Sequence, residues 1–416
     1  MSATTKSQVC VVIGASHAGV NFAFNLRREG WEGQIILYDI DKEFPYHRPP
    51  LSKAYLTSDA GTEQSLLFPR ENYETDQVTL KLGIAVENIN RNDKAISLSD
   101  GAVQSYDKLI IATGARPFIP PIKGIDTAKN LFPMRTAEDA VNIRKAFNAS
   151  GKKRVVVIGG GYIGLETAAS LKKLGASVVV LEREERILAR VTAPVMSEFF
   201  TKLHQNNDVD VITSKNVVSI EQNGHSNLVI CDDDTKFEAD LIVVGVGIRV
   251  NTELAAEAGL DIDNGIKVDE TARTNDENIY AIGDCTYHYN PHYKCNIRLE
   301  SVQNAVDQGK AAAKAICGED VVYDTIPWFW SDQFDVKLQM VGLSNGFNDI
   351  VIRDEEADNS FSAWYFKDDE LLAVDAVNFA KAYVLGTRFI KSGQKLDKSK
   401  LADLAIPFKP NSFLAE

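Results

Sequence analysis

The sequence lacks the closely spaced cysteine pairs that form disulfide scaffolds, iron–sulfur sites and redox-active dithiols. Its 416 residues include only five cysteines, an odd number, and no two of them form a CxxC or similarly short pair. This spacing argues against all three kinds of site. The cysteines are Cys10, Cys231, Cys285, Cys295 and Cys317.

Long apolar runs and an excess of positive charge are also missing. No segment approaches the roughly 18 apolar residues of a membrane span, and residues 1–6 carry no apolar signal segment. We therefore expect a cytoplasmic protein with no membrane interaction. The net charge of −13 would repel nucleic-acid phosphates, so we expect no nucleic-acid partner. A chain of this length exceeds one hydrophobic core and predicts two or three domains.

Two glycine-rich sequences are the strongest signals in the chain. They run from Gly14 to Gly19 and from Gly159 to Gly164, each between a continuously apolar run and a helical pattern. Glycines in this spacing allow a tight turn and a close approach to a pyrophosphate, which the N–H groups at the helix start then bind. Ser16 replaces the middle glycine of the first copy and adds a Cβ there. Two such fingerprints indicate two nucleotides, a fixed redox cofactor and a diffusing one.

An acid ends the strand that follows each predicted helix. Asp39 lies 25 residues, and Glu182 23 residues, after the first glycine of its fingerprint. A carboxylate about 20 residues on is expected to accept hydrogen bonds from a ribose diol. At Glu182 this contact would favour NADH, because the carboxylate repels the 2′-phosphate of NADPH. Arg183 and Arg186 follow and could accommodate a phosphate, which leaves some NADPH use open.

A second pattern also occurs twice. Residues 107–116 match residues 240–249 as an apolar strand that ends in glycine, at Gly114 in the first copy and at Gly245 and Gly247 in the second. Turn signals before each strand, such as Asp100-Gly101 and Asn223-Gly224, predict hairpins. We therefore predict two doubly wound sheets, each with a small antiparallel layer, that bind ligands at the carboxyl ends of their strands.

Several further motifs carry a family resemblance. They are Arg48 to Lys53, Ala112 to Gly114, Ala281 to Asp284, Arg298 to Ala305 and Pro327 to Gln333. With them the chain resembles the NADH-dependent ferredoxin reductases of bacterial oxygenase systems, in the FAD-dependent pyridine nucleotide-disulfide oxidoreductase superfamily. The resemblance implies an α/β fold with two Rossmann-like, glutathione-reductase-like domains and a C-terminal α/β domain. It implies an FAD domain at 1–113 and 247–325, an NAD domain at 114–246 and a C-terminal domain at 326–416.

The resemblance also implies the residues that bind each nucleotide. For FAD these are Gly14, Ser16, His17, Gly19, Asp39, Arg48, Lys53, Thr113, Gly114, Arg135, Asp284, Glu300, Val302 and Trp330. For NAD they are Gly159, Gly161, Ile163, Gly164, Glu166, Glu182, Arg190, Gly245 and Gly247. Asp284 is expected to accept a hydrogen bond from a ribityl hydroxyl. The predicted helix from Ser301 to Ile316 is expected to point its positive N-terminus at the flavin N1/C2=O edge.

Three residues are implied for the chemistry itself. Lys53 follows two prolines that stiffen its loop, and by resemblance it pairs with Glu166 near flavin N5, where the hydride arrives. A buried lysine needs a partner charge, so the two are expected to depend on each other. Trp330 is expected to lie between the flavin and a docked iron–sulfur protein.

The implied reaction is hydride transfer from NADH to FAD, followed by release of single electrons to a [2Fe–2S] ferredoxin that supplies an oxygenase. No cysteine pair is present, so electrons would leave from the flavin itself. A rubredoxin reductase shares these motifs, so rubredoxin is the alternative partner. A monodehydroascorbate reductase or an NADH oxidase would use a small-molecule acceptor, and Cys10, Cys285 and Cys295 stay open as a peroxidatic cysteine. An apoptosis-inducing-factor-like flavoprotein is a further alternative. It is expected to carry a targeting segment, and the sequence shows no pattern of one.

Overall fold

A computed structural model describes residues 7–355 and 359–415. Residues 1–6, on which the expectation of no signal segment rests, lie outside the described part of the chain. None of the helices in the described ranges is long and apolar enough to cross a membrane.

The strands are, in chain order, β1 (Val9–Ile13), β2 (Gln34–Asp39), β3 (Val78–Leu82), β4 (Val86–Asn90), β5 (Ala95–Leu98), β6 (Val103–Ser105), β7 (Lys108–Ile111), β8 (Ala115–Pro117), β9 (Leu131–Pro133), β10 (Arg154–Ile158), β11 (Ser177–Leu181), β12 (Val209–Ile212), β13 (Val217–Asn223), β14 (Ser226–Cys231), β15 (Lys236–Ala239), β16 (Leu241–Val244), β17 (Ile248–Val250), β18 (Ile266–Val268), β19 (Ile279–Ala281), β20 (Thr286–Asn290), β21 (Cys295–Ile297), β22 (Trp328–Gln333), β23 (Val336–Gly342), β24 (Asp349–Asp354), β25 (Phe361–Lys367) and β26 (Glu370–Val377).

The α-helices are α1 (His17–Arg28), α2 (Arg70–Thr75), α3 (Ala137–Ala149), α4 (Tyr162–Lys173), α5 (Pro194–Asn206), α6 (Glu253–Glu257), α7 (Val302–Ile316), α8 (Ala380–Ser392) and α9 (Lys398–Ala402). Short 3-10 turns lie at Thr62–Ser65, Ile125–Thr127, Gly283–Cys285 and Pro410–Ser412.

The chain forms two compact units. Unit 1 comprises the described residues up to His47, then Ala60–Arg116 and Arg249–Pro327. Unit 2 comprises Arg48–Asp59, Pro117–Ile248 and the described residues from Trp328 onward. Each unit contains one of the two glycine-rich fingerprints.

Unit 1 is built on a parallel sheet in the order β19-β7-β1-β2-β3. Alternate residues of β1 enter two different hydrophobic clusters: Cys10 and Val12 pack in one, and Val11 and Ile13 in the other. The central strand is therefore covered on both faces, which explains its continuous apolar run. The β4-β5-β6 meander forms the predicted antiparallel layer, with its turn at Asp100-Gly101.

Unit 2 repeats this plan in a parallel sheet of order β12-β11-β10-β16-β9. The fingerprint strand β10 lies between β11 and β16, as β1 lies between β2 and β7. The predicted repeat of residues 107–116 in residues 240–249 is therefore confirmed, because β7 pairs with β1 in the same way as β16 pairs with β10. The β13-β14-β15 meander supplies the second antiparallel layer.

The C-terminal part of unit 2 is an antiparallel sheet in the order β22-β23-β26-β25-β24. Helix α8 packs on this sheet through Gly386, where a Cβ would lie 2.6 Å from a Val374 methyl group. Trp364 and Phe389 are fully buried in this region. With two Rossmann-like sheets and this third sheet, the predicted fold class is confirmed.

Candidate functional site

The first glycine of each fingerprint makes a turn that a side chain would block. Gly14 has φ of +108° and Gly159 has φ of +109°, in the left-handed region that favours glycine. A Cβ at Gly14 would lie 2.3 Å from the Ala112 carbonyl oxygen, and one at Gly159 would lie 2.5 Å from that of Gly245. The two loops therefore need glycine for the same two reasons.

The last glycine of each fingerprint brings the helix onto its strand. A Cβ at Gly19 would lie 1.9 Å from the Gly14 carbonyl oxygen, and one at Gly164 would lie 2.2 Å from that of Gly159. Contacts this short do not occur, so any side chain at either position would push the helix away from the sheet.

The middle position differs between the copies without distorting the turn. Ser16 has φ −96° and ψ −159°, while Gly161 has φ −82° and ψ 176°. Both are extended conformations that any residue adopts, and a Cβ at Gly161 would meet nothing closer than 3.9 Å. The serine therefore carries no backbone strain, and the first loop is as well formed as the second.

The two predicted ribose acids also hold the loops themselves. Asp39 Oδ2 accepts a hydrogen bond from the Ala15 N–H at 2.6 Å, and Glu182 Oε2 accepts one from the Gly160 N–H at 2.7 Å. Each carboxylate thus binds the second residue of its own fingerprint. Residue spacing alone does not predict this second role.

Both loops fit the pyrophosphate of a dinucleotide. The N-cap residues Ser16 and Gly161 make no side-chain cap hydrogen bond at the starts of α1 and α4. Backbone N–H groups at the start of a helix are suited to bind a phosphate.

Thr113 and Gly114, which are predicted to bind FAD, are hydrogen-bonded to Asn251, a residue that the sequence analysis missed. The Asn251 side chain donates to the Thr113 carbonyl at 2.8 Å, and the Thr113 hydroxyl donates back to the Asn251 carbonyl at 2.7 Å. The Asn251 N–H also donates to the Gly114 carbonyl at 2.9 Å. These bonds fix the turn in which Gly114 has φ of +59°.

The turn that carries Asp284 is tied to helix α7 by a buried glutamine. Gln308 Oε1 accepts hydrogen bonds from the Gly283 N–H at 2.8 Å and from the Thr286 hydroxyl at 3.0 Å. The predicted helix is confirmed as α7, and Ser301 caps it by accepting from the Asn304 N–H at 3.1 Å. The sequence signal for Gln308 was only that it lies on the same helix.

The remaining predicted FAD residues of unit 1 lie near the ends of its elements. His17 begins α1, is 7 % exposed, and has its ring 5.6 Å from that of His47. Glu300 pairs with Arg298 at 2.6 Å, just before Val302 begins α7.

Unit 2 brings Lys53 and Glu166 together as predicted. The Lys53 Nζ lies 2.6 Å from Glu166 Oε2, and the Glu166 side chain is 1 % exposed against 20 % for that of Lys53. Two hydroxyls that the sequence analysis missed also donate to this carboxylate: Ser52 at 2.6 Å and Ser331 at 2.7 Å. A buried carboxylate requires such donors, because burial otherwise disfavours its charge.

Arg48 and Arg135 also lie together in unit 2. Arg48 Nη1 donates to the Arg135 carbonyl at 3.0 Å. Thr136, the next residue, forms a capping box with Asp139 at the start of α3. The two arginines therefore stand at a fixed helix start, where anions are favoured.

Four predicted NAD residues form two contacting pairs just after the end of β16. A Cβ at Gly245 would lie 3.3 Å from the Gly164 backbone, and one at Gly247 would lie 3.7 Å from the Arg190 guanidinium. Ile163, at the start of α4, is 42 % exposed.

The two arginines considered for a 2′-phosphate differ in their contacts. Arg186 donates to the Thr192 and Ala189 carbonyls at 2.8 Å and to the Ser197 hydroxyl at 2.7 Å. The Arg186 guanidinium is thus already hydrogen-bonded to residues 189–197 of its own segment. Arg183 is exposed and pairs with Glu184 at 2.9 Å.

Trp330 lies on β22 of the C-terminal sheet. Its ring is 5.5 Å from that of Trp328, which in turn lies 6.1 Å from Tyr383 of α8. The three rings form an aromatic row that is only half-buried.

The buried cysteines are poor nucleophiles. Burial raises the pKa of Cys285 to about 11 and also raises that of Cys10. Because the thiolate is the reactive form, neither suits a peroxidatic role. Cys295 is exposed on β21, and all five cysteines are free.

Comparison with protein families gives matches along most of the chain. Residues 8–309 match the family described as pyridine nucleotide-disulphide oxidoreductase. Residues 328–411 match the reductase C-terminal family.

Comparison with single proteins gives relatives of nearly the same length. The chain is 40% identical to putidaredoxin reductase of Pseudomonas putida over 404 residues, 96% of this chain and 95% of the relative. It is 36% identical to a rubredoxin-NAD(+) reductase of Pseudomonas putida over 372 residues, 89% of this chain and 96% of the relative. The crystal structure of a covalent putidaredoxin reductase–putidaredoxin complex matches with a TM-score of 0.92 at 39% identity, covering 96% of this chain and 97% of that one.

Proposed function

The chain belongs to the pyridine nucleotide-disulphide oxidoreductase family, and from this premise we propose that it is an FAD-dependent, NADH-oxidising ferredoxin reductase of an oxygenase system. The observation that carries the proposal is the pair of fingerprint loops with the same geometry, one in each unit, in a chain whose cysteines are all free. Two nucleotides are bound, and no dithiol stands between them and the acceptor.

The first loop and its neighbours hold FAD. When bound, FAD accepts a hydride from a nicotinamide and gives up the electrons one at a time. The α1 N-terminus receives the pyrophosphate, Asp39 accepts from the adenosine ribose, and Asp284 accepts from the ribityl chain. The N-terminus of α7 places its partial positive charge toward the flavin. The other FAD residues that the sequence predicts within unit 1 belong to the same site: Gly14, Ser16, His17, Gly19, Thr113, Gly114, Glu300 and Val302.

The second loop holds NADH. The α4 N-terminus receives its pyrophosphate, and Glu182 accepts from the adenosine ribose and repels a 2′-phosphate. Arg190 and the glycines at the end of β16 line the same edge of the sheet. Arg186 is already hydrogen-bonded within its own segment, so Arg183 is the cation left for a 2′-phosphate. Because Glu182 repels that phosphate, NADPH is the poorer donor.

The transfer of the hydride and of the electrons is assigned to three residues, Lys53, Glu166 and Trp330. Glu166 holds the Lys53 ammonium in one direction, and Lys53 orients the groups between which the hydride moves. Neither has to transfer a proton, since hydride transfer depends mainly on position. Trp330 lies on the path by which electrons leave.

The acceptor is a [2Fe–2S] ferredoxin that supplies an oxygenase. Relatives along almost the whole chain include a putidaredoxin reductase and, at lower identity, a rubredoxin-NAD(+) reductase. Rubredoxin is therefore the second candidate. The raised pKa values of Cys10 and Cys285 speak against an NADH oxidase that uses either of them.

We also propose the domain boundaries and the cellular compartment. We assign FAD to residues 1–113 and 247–325, NAD to 114–246, and the C-terminal domain to 326–416. We place the protein in the cytoplasm, where reducing conditions keep five free cysteines as thiols.

An anaerobic titration tests the proposal. The purified protein should be yellow, and one equivalent of NADH should bleach the flavin absorbance, with NADPH less effective. Adding oxidised [2Fe–2S] ferredoxin, rubredoxin or ascorbate radical then identifies the acceptor by the return of the colour. A protein that binds no flavin, or a flavin that dithionite bleaches and NADH does not, would overturn the proposal.

A further inference from the structure

The Glu166 carboxylate receives a hydrogen bond from the C-terminal sheet. Ser331, on β22, is fully buried, and its hydroxyl lies 2.7 Å from Glu166 Oε1. The other oxygen, Oε2, accepts from Ser52 and Lys53. Without Ser331, Oε1 would lose its only hydrogen-bond donor within the described part of the chain.

The direction of the Ser331 hydroxyl is set by a second buried side chain. Gln333 Nε2 lies 3.2 Å from Ser331 Oγ, and an amide NH₂ group can only donate. Ser331 Oγ is thus the acceptor of that bond, which leaves its own hydrogen for Glu166. The Gln333 side chain is also fully buried.

The orientation of Gln333 is set in turn by a buried histidine. His204 Nε2 lies 2.9 Å from Gln333 Oε1, which can only accept. Burial lowers the pKa of His204 to about 4, so the ring is neutral and carries one N–H. Among the described residues Nδ1 has no hydrogen-bond partner, which favours the tautomer with the proton on Nε2.

These bonds form one series in which every group donates in the same direction. His204 donates to Gln333, Gln333 donates to Ser331, and Ser331 donates to Glu166. We call the residues His204, Gln333 and Ser331 the donor chain. We propose that Ser331 is a positioning residue for hydride transfer, which acts through Glu166 on Lys53 and is itself oriented by Gln333 and His204. The proposal rests on the function proposed above.

Lys53 is the group on which the donor chain finally acts. Its ammonium donates to Glu166 Oε2 at 2.6 Å and to the Pro49 carbonyl at 3.1 Å. With Oε1 held by Ser331, the carboxylate cannot turn, and the ammonium keeps one direction. Removing the Ser331 hydroxyl frees this rotation and lets Lys53 leave the position that hydride transfer needs.

The test compares Ser331→Ala and Ser331→Thr with the holoprotein, by anaerobic stopped-flow reduction of the flavin with NADH. Ser331→Ala should lower the limiting rate of reduction about 10-fold, as expected for a lost hydrogen bond to a charged group. The dissociation constant of NADH should change little. Ser331→Thr retains the hydroxyl and should recover most of the rate. The control is Ser362→Ala, which removes a buried hydroxyl of the same sheet whose described partner is the Trp364 indole N–H.

Two results would overturn the proposal. One is a limiting rate for Ser331→Ala equal to that of the unaltered protein. The other needs no variant: ¹⁵N chemical shifts of the histidines in the holoprotein should show His204 protonated on Nε2, and a proton on Nδ1 would reverse the donor chain. Failure of the proposed function is distinct, because the flavin of the unaltered protein would then be bleached by dithionite and not by NADH.

Discussion

Asp375 is a buried carboxylic acid of the C-terminal sheet. It is 4 % exposed and accepts a hydrogen bond from the Tyr365 hydroxyl at 2.5 Å. Burial raises the pKa of Asp375 from 3.8 to about 7, and the bond from Tyr365 lowers it only in part. The folded protein therefore holds this carboxyl in its neutral form over a wide pH range.

The effect of Asp375 on stability follows from linkage. The folded state keeps the proton up to about pH 7 while the unfolded state releases it near pH 3.8, so stability is lost as the pH rises through that window. Asp375→Asn cannot ionise and should be more stable at pH 8 by about 2–4 kcal/mol. Urea unfolding at pH 5 and pH 8 measures this difference. Asp369→Asn, at an exposed position, is the control, and an equal gain in both variants would contradict the assignment.

In the proposed function, Glu182 determines the choice between NADH and NADPH. Glu182→Gln keeps an acceptor for the Gly160 N–H and removes the charge that repels a 2′-phosphate. The ratio of kcat/KM for NADH over NADPH should fall about 10-fold, which corresponds to roughly 1.4 kcal/mol. Glu198→Gln, at an exposed position of α5 paired with Lys202, should leave the ratio unchanged. A ratio that is unaltered in Glu182→Gln would remove this residue from the specificity role.

At the level of elements, helix α7 and the 3-10 turn Gly283–Cys285 are joined by Gln308. Gln308→Leu removes the acceptor of the Gly283 N–H and leaves this buried donor unpaired. The turn that presents Asp284 should loosen, and the dissociation constant of FAD should rise about 10-fold. The fluorescence of released FAD measures it. Lys310→Ala, on the exposed side of α7, should bind FAD as the unaltered protein does, and equal affinities for all three proteins would contradict this role.

Elements that a local pattern specifies could be predicted from the sequence. Glycine spacing and apolar runs predict the fingerprint loops and the acids at the ends of β2 and β11, because each of these patterns lies within about 30 residues. The helix predicted from Ser301 to Ile316 is also a local pattern. The pair Lys53 and Glu166 is separated by more than a hundred residues, and only the family resemblance joined it.

Strand β22 shows why the rest of the site could not be predicted. Its alternation places Phe329, Ser331 and Gln333 on one face and Trp328 and Trp330 on the other. From hydrophobicity alone, the tryptophans would be predicted to be buried and the polar residues to be exposed. In the structure Ser331 and Gln333 are fully buried because Glu166 and His204 supply their hydrogen-bond partners. Partners so distant in the chain leave no local signal.

For the whole molecule, each unit contains a buried histidine whose pKa is lowered by burial: His288 in unit 1 and His204 in unit 2. Burial lowers the pKa of both His204 and His288 from 6.5 to about 4. The unfolded chain takes up protons at these histidines below pH 6.5 and the folded chain does not, so the stability that they contribute is full above pH 6.5 and is lost as the pH falls toward 4. Each histidine should cost about 2 kcal/mol at pH 5.

Urea unfolding at pH 7 and pH 5 measures this acid sensitivity. His204→Gln and His288→Gln should each show a smaller loss of unfolding free energy between the two pH values. His225→Gln, at an exposed position of unit 2, is the control and should lose as much as the unaltered protein. If the losses were the same in all three variants, the source would lie in other groups.

The central claim is that two electrons enter from NADH as a pair and leave singly to an iron–sulfur protein. The most direct measurement is the anaerobic stoichiometry of this exchange, with limiting NADH, catalytic amounts of the enzyme and excess oxidised [2Fe–2S] ferredoxin, followed by absorbance. We predict two ferredoxin molecules reduced for each NADH consumed. If NADH bleaches the flavin but no ferredoxin becomes reduced, the account is contradicted at the step that defines its function.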